Sequence, residues 1–169
     1  MSTSQKLIID GYNVVFTDDA LRRIAITDRR SARAQLIDRV KAYLTLRRIQ
    51  TTIVFDGRGR MVDHETIIPG RLQVVYSAEG QTADDFIIET VKASQVASAY
   101  LVVSSDAGHV ARPARALGCQ VMGSKAFLER LASAQGKDAP PPTASPETDL
   151  GDTDYWLERF REEPYEKDE

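Results

Sequence analysis

Short apolar runs separated by longer stretches with helical spacing set the pattern of this chain. Lys6 to Asp10 reads as a buried strand, three large aliphatic residues followed by a carboxylate. Asp10-Gly11-Tyr12-Asn13 has turn vocabulary, and residues 17 to 30 look polar and irregular. Leu36, Ile37, Val40, Tyr43 and Leu44 recur at helical intervals within a predicted helix from Ser31 to Arg48, with Asp28 or Ser31 as its cap. Thr51 to Phe55 is a second strand, closed by Asp56-Gly57. Residues 57 to 70 hold three glycines and a proline among charged groups, which predicts a long loop.

The second half repeats the alternation. Leu72 to Tyr76 is a strand, and Thr82 caps a helix that runs to about Ser94, with Asp84 and Asp85 favourably placed against its dipole. Tyr100 to Val103 is a strand that leads into Ser104-Ser105-Asp106. Val110 to Leu117 is helical and Gly118 ends it; Cys119 to Met122 is a short strand, and Ser124 caps a last helix to about Ala132. Strands alternating with helices predict an α/β sandwich whose central sheet of about five strands is mostly parallel. Residues 1–135 form the predicted domain. Residues 136–169 open with Pro140-Pro141-Pro142 and read as a proline-rich linker and acidic tail, with a short amphipathic helix predicted over 153–163.

Composition narrows the class. The chain has 169 residues, enough for one domain with a real core. Cys119 is the lone cysteine, so there is no internal disulfide, and with only His64 and His109 beside it a Cys/His zinc site is disfavoured. A reducing, cytoplasmic setting is expected. The apolar run Leu7–Ile9 is too short for a signal peptide or a membrane span. The net charge of −3 conceals an asymmetry: residues 138–169 carry 11 acidic and 3 basic side chains, and the remainder carries 14 and 19. A mildly basic body suits a polyanionic partner, although a solvated surface beside an acidic tail has the same composition.

The candidate chemistry lies in the carboxylates. Asp10, Asp56 and Asp106 each follow a β-run, and Asp84 and Asp85 open a helix that follows another. In open parallel sheets, ligands bind beyond the carboxyl ends of the strands. Two carboxylates about 5 Å apart repel by roughly 3 kcal/mol at an effective dielectric of about 20, so stability alone would not gather them. A divalent cation relieves that repulsion, and hard oxygen donors suit Mg²⁺ or Mn²⁺, as one or two ions. Taken singly, each Asp is equally a turn or cap residue. Asn13 is a candidate to orient water or a phosphate, with a turn role as the alternative. Ser104 and Ser105 are candidates to hold Asp106 or contact phosphate.

Leu7-Ile8-Ile9-Asp10-Gly11-Tyr12-Asn13 resembles the opening of NYN-domain proteins of the YacP-like branch. Val54-Phe55-Asp56-Gly57, Gln81-Thr82-Ala83-Asp84-Asp85 and Ser104-Ser105-Asp106 resemble that family's later motifs in the same order, over roughly residues 6 to 132. The resemblance implies a PIN-like three-layer sandwich and a metal-dependent endoribonuclease. It implies Asp10, Asp84 and Asp106 as metal ligands, Asn13 as their polar partner, Asp85 as an additional catalytic acid and Asp56 as a further candidate. Single-stranded RNA is the expected substrate, and the translation machinery is a candidate to present it. Arg29, Arg30, Arg33 and Arg58 are candidate phosphate contacts. Tyr12 is a candidate stacking residue for unpaired bases; Phe16 could do the same but reads rather as a core position. His64 reads as a surface residue. Two other readings stay open. One is a non-catalytic RNA-binding module on the same fold. The other is a phosphoryl-transfer domain of the haloacid-dehalogenase or receiver type, with Asp10, Ser104 and Lys125 in the key positions; it lacks the second acid that those patterns require near the first.

Overall fold

The computed structural model describes residues 5–135. The linker and the helix predicted over 153–163 lie outside the described residues. Among the described residues, six strands and six α-helices follow one another: β1 Lys6–Asp10, α1 Gly11–Thr17, α2 Asp19–Thr27, α3 Arg29–Leu44, β2 Gln50–Phe55, β3 Asp63–Ile68, β4 Leu72–Tyr76, α4 Ala83–Ala93, β5 Tyr100–Val103, α5 Arg112–Ala116, β6 Gln120–Met122 and α6 Ser124–Gln135. A single turn of π-helix, Ala107–Ala111, links β5 to α5.

The sheet order is β3-β4-β2-β1-β5-β6, parallel throughout except for β3, which runs antiparallel to β4. Both faces are covered, which is why β1 reads as an unbroken aliphatic run. Leu7, Ile9, Ile53, Phe55 and Val103 face one core with Leu36, Val40, Phe127 and Leu131. Ile8, Val54 and Val102 face the other with Ile87, Val91, Val110 and Ala114. The result is the three-layer α/β sandwich that the alternation predicts. No described helix is long and apolar enough to cross a membrane.

The chain winds outward from β1 through β2 to β4, then returns to place β5 on the other side of β1. Strand order therefore reverses between β1 and β5, where a parallel sheet opens a crevice beyond its carboxyl ends. Asp10 ends β1, and Ser104-Ser105-Asp106 leaves β5 at that reversal.

Four stretches differ from the sequence expectation. The predicted turn at 10–13 is the start of α1. Gly11 stands there because a Cβ would fall 2.3 Å from the Phe55 ring, and Val14 and Val15 are buried on the helix's inner side. Residues 17 to 30, expected to be irregular, hold α2. Asp18 caps it by accepting from Leu21 N–H, and Asp28 caps α3 by accepting from Arg30 and Ser31 N–H. The loop predicted over 57–70 contains β3. It is an edge strand whose Asp63, His64 and Glu65 are exposed, a charged edge that resists pairing with another chain. Helix α3 also ends at Leu44, short of Arg48.

Candidate active site

Asp10 is 6% exposed and opens α1 without capping it. Ser104 Oγ donates to its Oδ2 at 3.2 Å. Burial pushes the Asp10 carboxyl up from 3.8 to about 7, aided by the Asp84 charge and by a hydrogen bond to Asp84 that keeps the proton on Asp10. Asp84, in the first turn of α4, is also raised. Its burial is the main cause, the Asp106 and Asp56 carboxylates add to it, and the Asp10 contact opposes it. These directions describe acids crowded together with too little positive charge among them.

Asp106 behaves oppositely. The π-helical turn aims backbone N–H groups at its Oδ1, from His109 at 3.0 Å and Gly108 at 3.1 Å, and they hold its carboxyl below the usual range. His109 Nδ1 lies 3.3 Å from Asp106 Oδ2. Ligand-capable atoms of Asp84, Asp106 and His109 all fall within 4.8 Å of one another. Two oxygen donors and an imidazole nitrogen thus converge on one point, with Asp10 against Asp84 behind them.

The polar neighbours tie the two halves of the sheet together. Ser104 Oγ, while donating to Asp10, accepts from Asp106 N–H at 3.1 Å. Asn13 Oδ1 accepts from Ser105 N–H at 2.8 Å and from Ser124 Oγ at 2.6 Å, which leaves its amide NH₂ as the group that can donate into the site. Ser105 Oγ accepts from Ser124 N–H at 2.9 Å. Asp56 Oδ1 accepts from Ala83 N–H at 2.6 Å, fixing the start of the helix that carries Asp84. Asp85 is exposed and completes a capping box with Thr82, each side chain accepting the other's backbone N–H.

The YacP-like NYN domain matches residues 7–153, most of the chain and further than the motifs at 6–132 reach. The chain belongs to the YacP-like NYN domain family. That family is of nuclease type. Crystal structures of Rae1 (YacP) from Bacillus subtilis share the fold. One of them, of a single-substitution mutant, superposes with a TM-score of 0.65 at 20% identity, over 79% of this chain and 78% of that one. A second structure gives 0.61 at 20% identity, over 93% and 92%. No curated protein sequence matches the chain.

Within this NYN domain the substrate-facing candidates separate into groups. Tyr12, Arg29 and Arg33 come together: Arg33 Nη1 donates to Tyr12 Oη at 2.8 Å, and the Arg29 guanidinium lies 5.4 Å from the Tyr12 ring centre. Arg30 is exposed in the first turn of α3, and Arg58 is exposed in the segment after β2. His109 is the residue that sequence reasoning weighed only as a zinc ligand. Its signal was the spacing of three from Asp106, which a helical turn converts into contact. Ser124, more than a hundred residues from Asn13, reads in the sequence only as a helix cap. Two clefts of about 550 Å³ lie away from the acids, one lined by Leu101, Cys119, Val121 and Arg130, the other by Tyr43, Arg47 and Glu129. Neither contains an acid of the cluster.

Proposed function

We infer that the chain is a metal-dependent endoribonuclease that hydrolyses phosphodiester bonds of single-stranded RNA. The observation that carries this reading is the convergence of Asp84, Asp106 and His109 within 4.8 Å, backed by an Asp10 carboxyl raised to about 7. Acids held in this way fit a divalent cation: the set supplies hard oxygen donors, and its own repulsion is what a cation would relieve. Asp84 and Asp106 would hold the ion, with His109 adding a nitrogen that suits Mn²⁺ better than Mg²⁺ and Asp10, against Asp84, able to join them. When bound, such an ion supplies a nucleophile from water at neutral pH and stabilises charge on the phosphodiester.

The chain's own residues do the rest. Ser104 orients Asp10 and fixes the backbone of Asp106. The Asn13 NH₂ is placed to donate to a phosphate oxygen or to the attacking water. Arg29, Arg30, Arg33 and Arg58 would contact the RNA backbone, and the basic balance of the body gives the long-range attraction. The lone, buried Cys119 suits a reducing, cytoplasmic setting.

The test is cleavage of matched RNA and DNA strands with Mg²⁺, Mn²⁺ or EDTA, with the product ends identified. Metal-dependent cutting of unpaired RNA that leaves 5′-phosphate and 3′-hydroxyl ends is expected. Full activity in EDTA, or 2′,3′-cyclic phosphate ends, refutes it. A chain that binds RNA but never cuts it, and gains no thermal stability from Mn²⁺, is a binding module instead.

A further inference from the structure

Phe16 sits on the outside of α1 with 42% of its surface exposed, six residues beyond Asp10. The sequence reads Phe16 as a core position, but its ring belongs to neither core and is partly open to solvent. It is not alone, however. Tyr12 and Phe16 are four residues apart on one helix face, and their rings stack with centres 6.0 Å apart and planes 28° from parallel. The exposed Arg29 guanidinium lies over both, 5.4 Å from the Tyr12 ring and 5.9 Å from the Phe16 ring. The three planar groups form one surface.

That surface is held in place from below. The Tyr12 ring meets Phe55 edge-on with centres 5.0 Å apart, and the Tyr12 hydroxyl accepts from Arg33. Arg33 is half-buried, with its guanidinium 5.6 Å from the Tyr76 ring and 6.0 Å from the Phe55 ring. Its partners are tyrosines and aromatic faces, and no ion pair among the described residues compensates its charge. A partly desolvated cation without a carboxylate calls for an anion. A flat aromatic–guanidinium surface beside it calls for a flat, polarisable group.

We propose that Tyr12, Phe16 and Arg29 form a stacking subsite for one unpaired nucleobase, with Arg33 receiving the phosphate of the same nucleotide. The subsite rests on the reading of the chain as a ribonuclease and adds to it the means by which single strands are chosen. Tyr12 and Phe16 stand on the helix that begins directly after Asp10, which puts the subsite at the same end of the sheet as the acids. A base inside an A-form duplex has no free face to offer, so paired RNA cannot occupy the subsite. Stacking accepts any base, so the preference is for strand state and not for sequence.

The experiment uses the full chain, the Phe16→Ala and Phe16→Trp variants, and a short single-stranded RNA with one 2-aminopurine, beside a duplex of the same sequence. Binding is read in EDTA by polarisation and by 2-aminopurine quenching, and cleavage is read with Mn²⁺. Phe16→Ala is expected to weaken single-strand binding by about tenfold, abolish the quenching and raise KM more than it lowers kcat. Phe16→Trp is expected to restore all three, and duplex binding should be indifferent to either change. Unchanged single-strand binding by Phe16→Ala, or an equal loss on duplex, overturns the subsite while metal-dependent cleavage by the parent stands. A parent that neither binds nor cuts RNA overturns both readings. Quenching that survives in Phe16→Ala but disappears in Tyr12→Phe would also overturn it, because the base would then be reading the Tyr12 hydroxyl rather than the stack.

Discussion

Replacing Asp10 by Asn should stabilise the metal-free protein, and should do so more at high pH than at low. Asp10 titrates near 3.8 in an unfolded chain and at about 7 in the fold. Between those values the folded chain holds a proton that the unfolded chain has released, so stability falls as pH rises through that window. The contribution is intact below about pH 4, and its loss is complete a little above pH 7. At pH 8 the full difference costs about 4 kcal/mol, and at pH 5 it costs under about 2 kcal/mol. Asn has the same shape, keeps an oxygen for Ser104 Oγ, and presents an NH₂ to Asp84 where the parent presents a second carboxylate. The variant should therefore gain up to about 4 kcal/mol at pH 8, roughly 10 °C or more in Tm for a domain of this size, and clearly less at pH 5. Thermal melts with EDTA at both pH values measure this. With Mn²⁺ at pH 8 the order should tighten or reverse, because the parent gains a ligand-bound state that the variant has weakened. An Asn variant that melts below the parent at pH 8 in EDTA, or a gain of equal size at both pH values, refutes the electrostatic argument and makes Asp10 a structural acceptor.

The remaining acids should divide by what their oxygens face. Asp84→Asn and Asp106→Asn should each lower RNA cleavage at saturating substrate by at least about 100-fold while the fold persists, measured by gel assay beside circular dichroism. Asp85→Ala should cost about 0.5–2 kcal/mol in urea unfolding through loss of the capping box, yet retain most of the cleavage rate, since its carboxylate faces the Thr82 backbone. Gly11→Ala should cost about 1–3 kcal/mol by overpacking against Phe55, and should raise KM for RNA as well, because the displaced ring supports Tyr12.

Sequence pattern alone reached the features whose causes are local. The aliphatic runs ending in Asp10 and Asp56, and the run into Ser104-Ser105-Asp106, are legible because a strand buried on both faces allows no polar residue until it leaves the sheet. Thr82 with Asp85 is legible as a helix start for the same reason, since the capping box is complete within four residues. Helix α1 was hidden because Asp-Gly-Tyr-Asn followed by two valines serves equally as a turn into a strand, and Gly11 is explained by Phe55, which lies 44 positions on. Helix α2 buries only Leu21 and Ala25, too narrow a stripe to stand out among its charges. Edge strand β3 has no alternation to read, because its register comes from β4. The double role of Asn13 depends on serines brought in from the segment after β5 and from α6, which no window of sequence contains, while His109 needs the π-helical turn to bring it onto Asp106 three residues back.

Divergent acidity within one cluster assigns roles that equal acidity would not. Asp106 is pinned by backbone N–H groups and stays charged through the neutral range, on the open side of the site. Asp10 is buried and gives up its proton only near pH 7, so at neutrality it is the member whose charge depends on its neighbours. Ser104 joins the two, donating to one and accepting from the backbone of the other. Asp84 enters from α4, whose first amide Asp56 holds at the end of β2. The 4.8 Å convergence of Asp84, Asp106 and His109 thus joins α4 to the turn after β5, with Asp10 of β1 against Asp84 and Asp56 at the end of β2 holding the first amide of α4. A strand-order reversal between β1 and β5 brings those ends together without a connecting loop crossing the site.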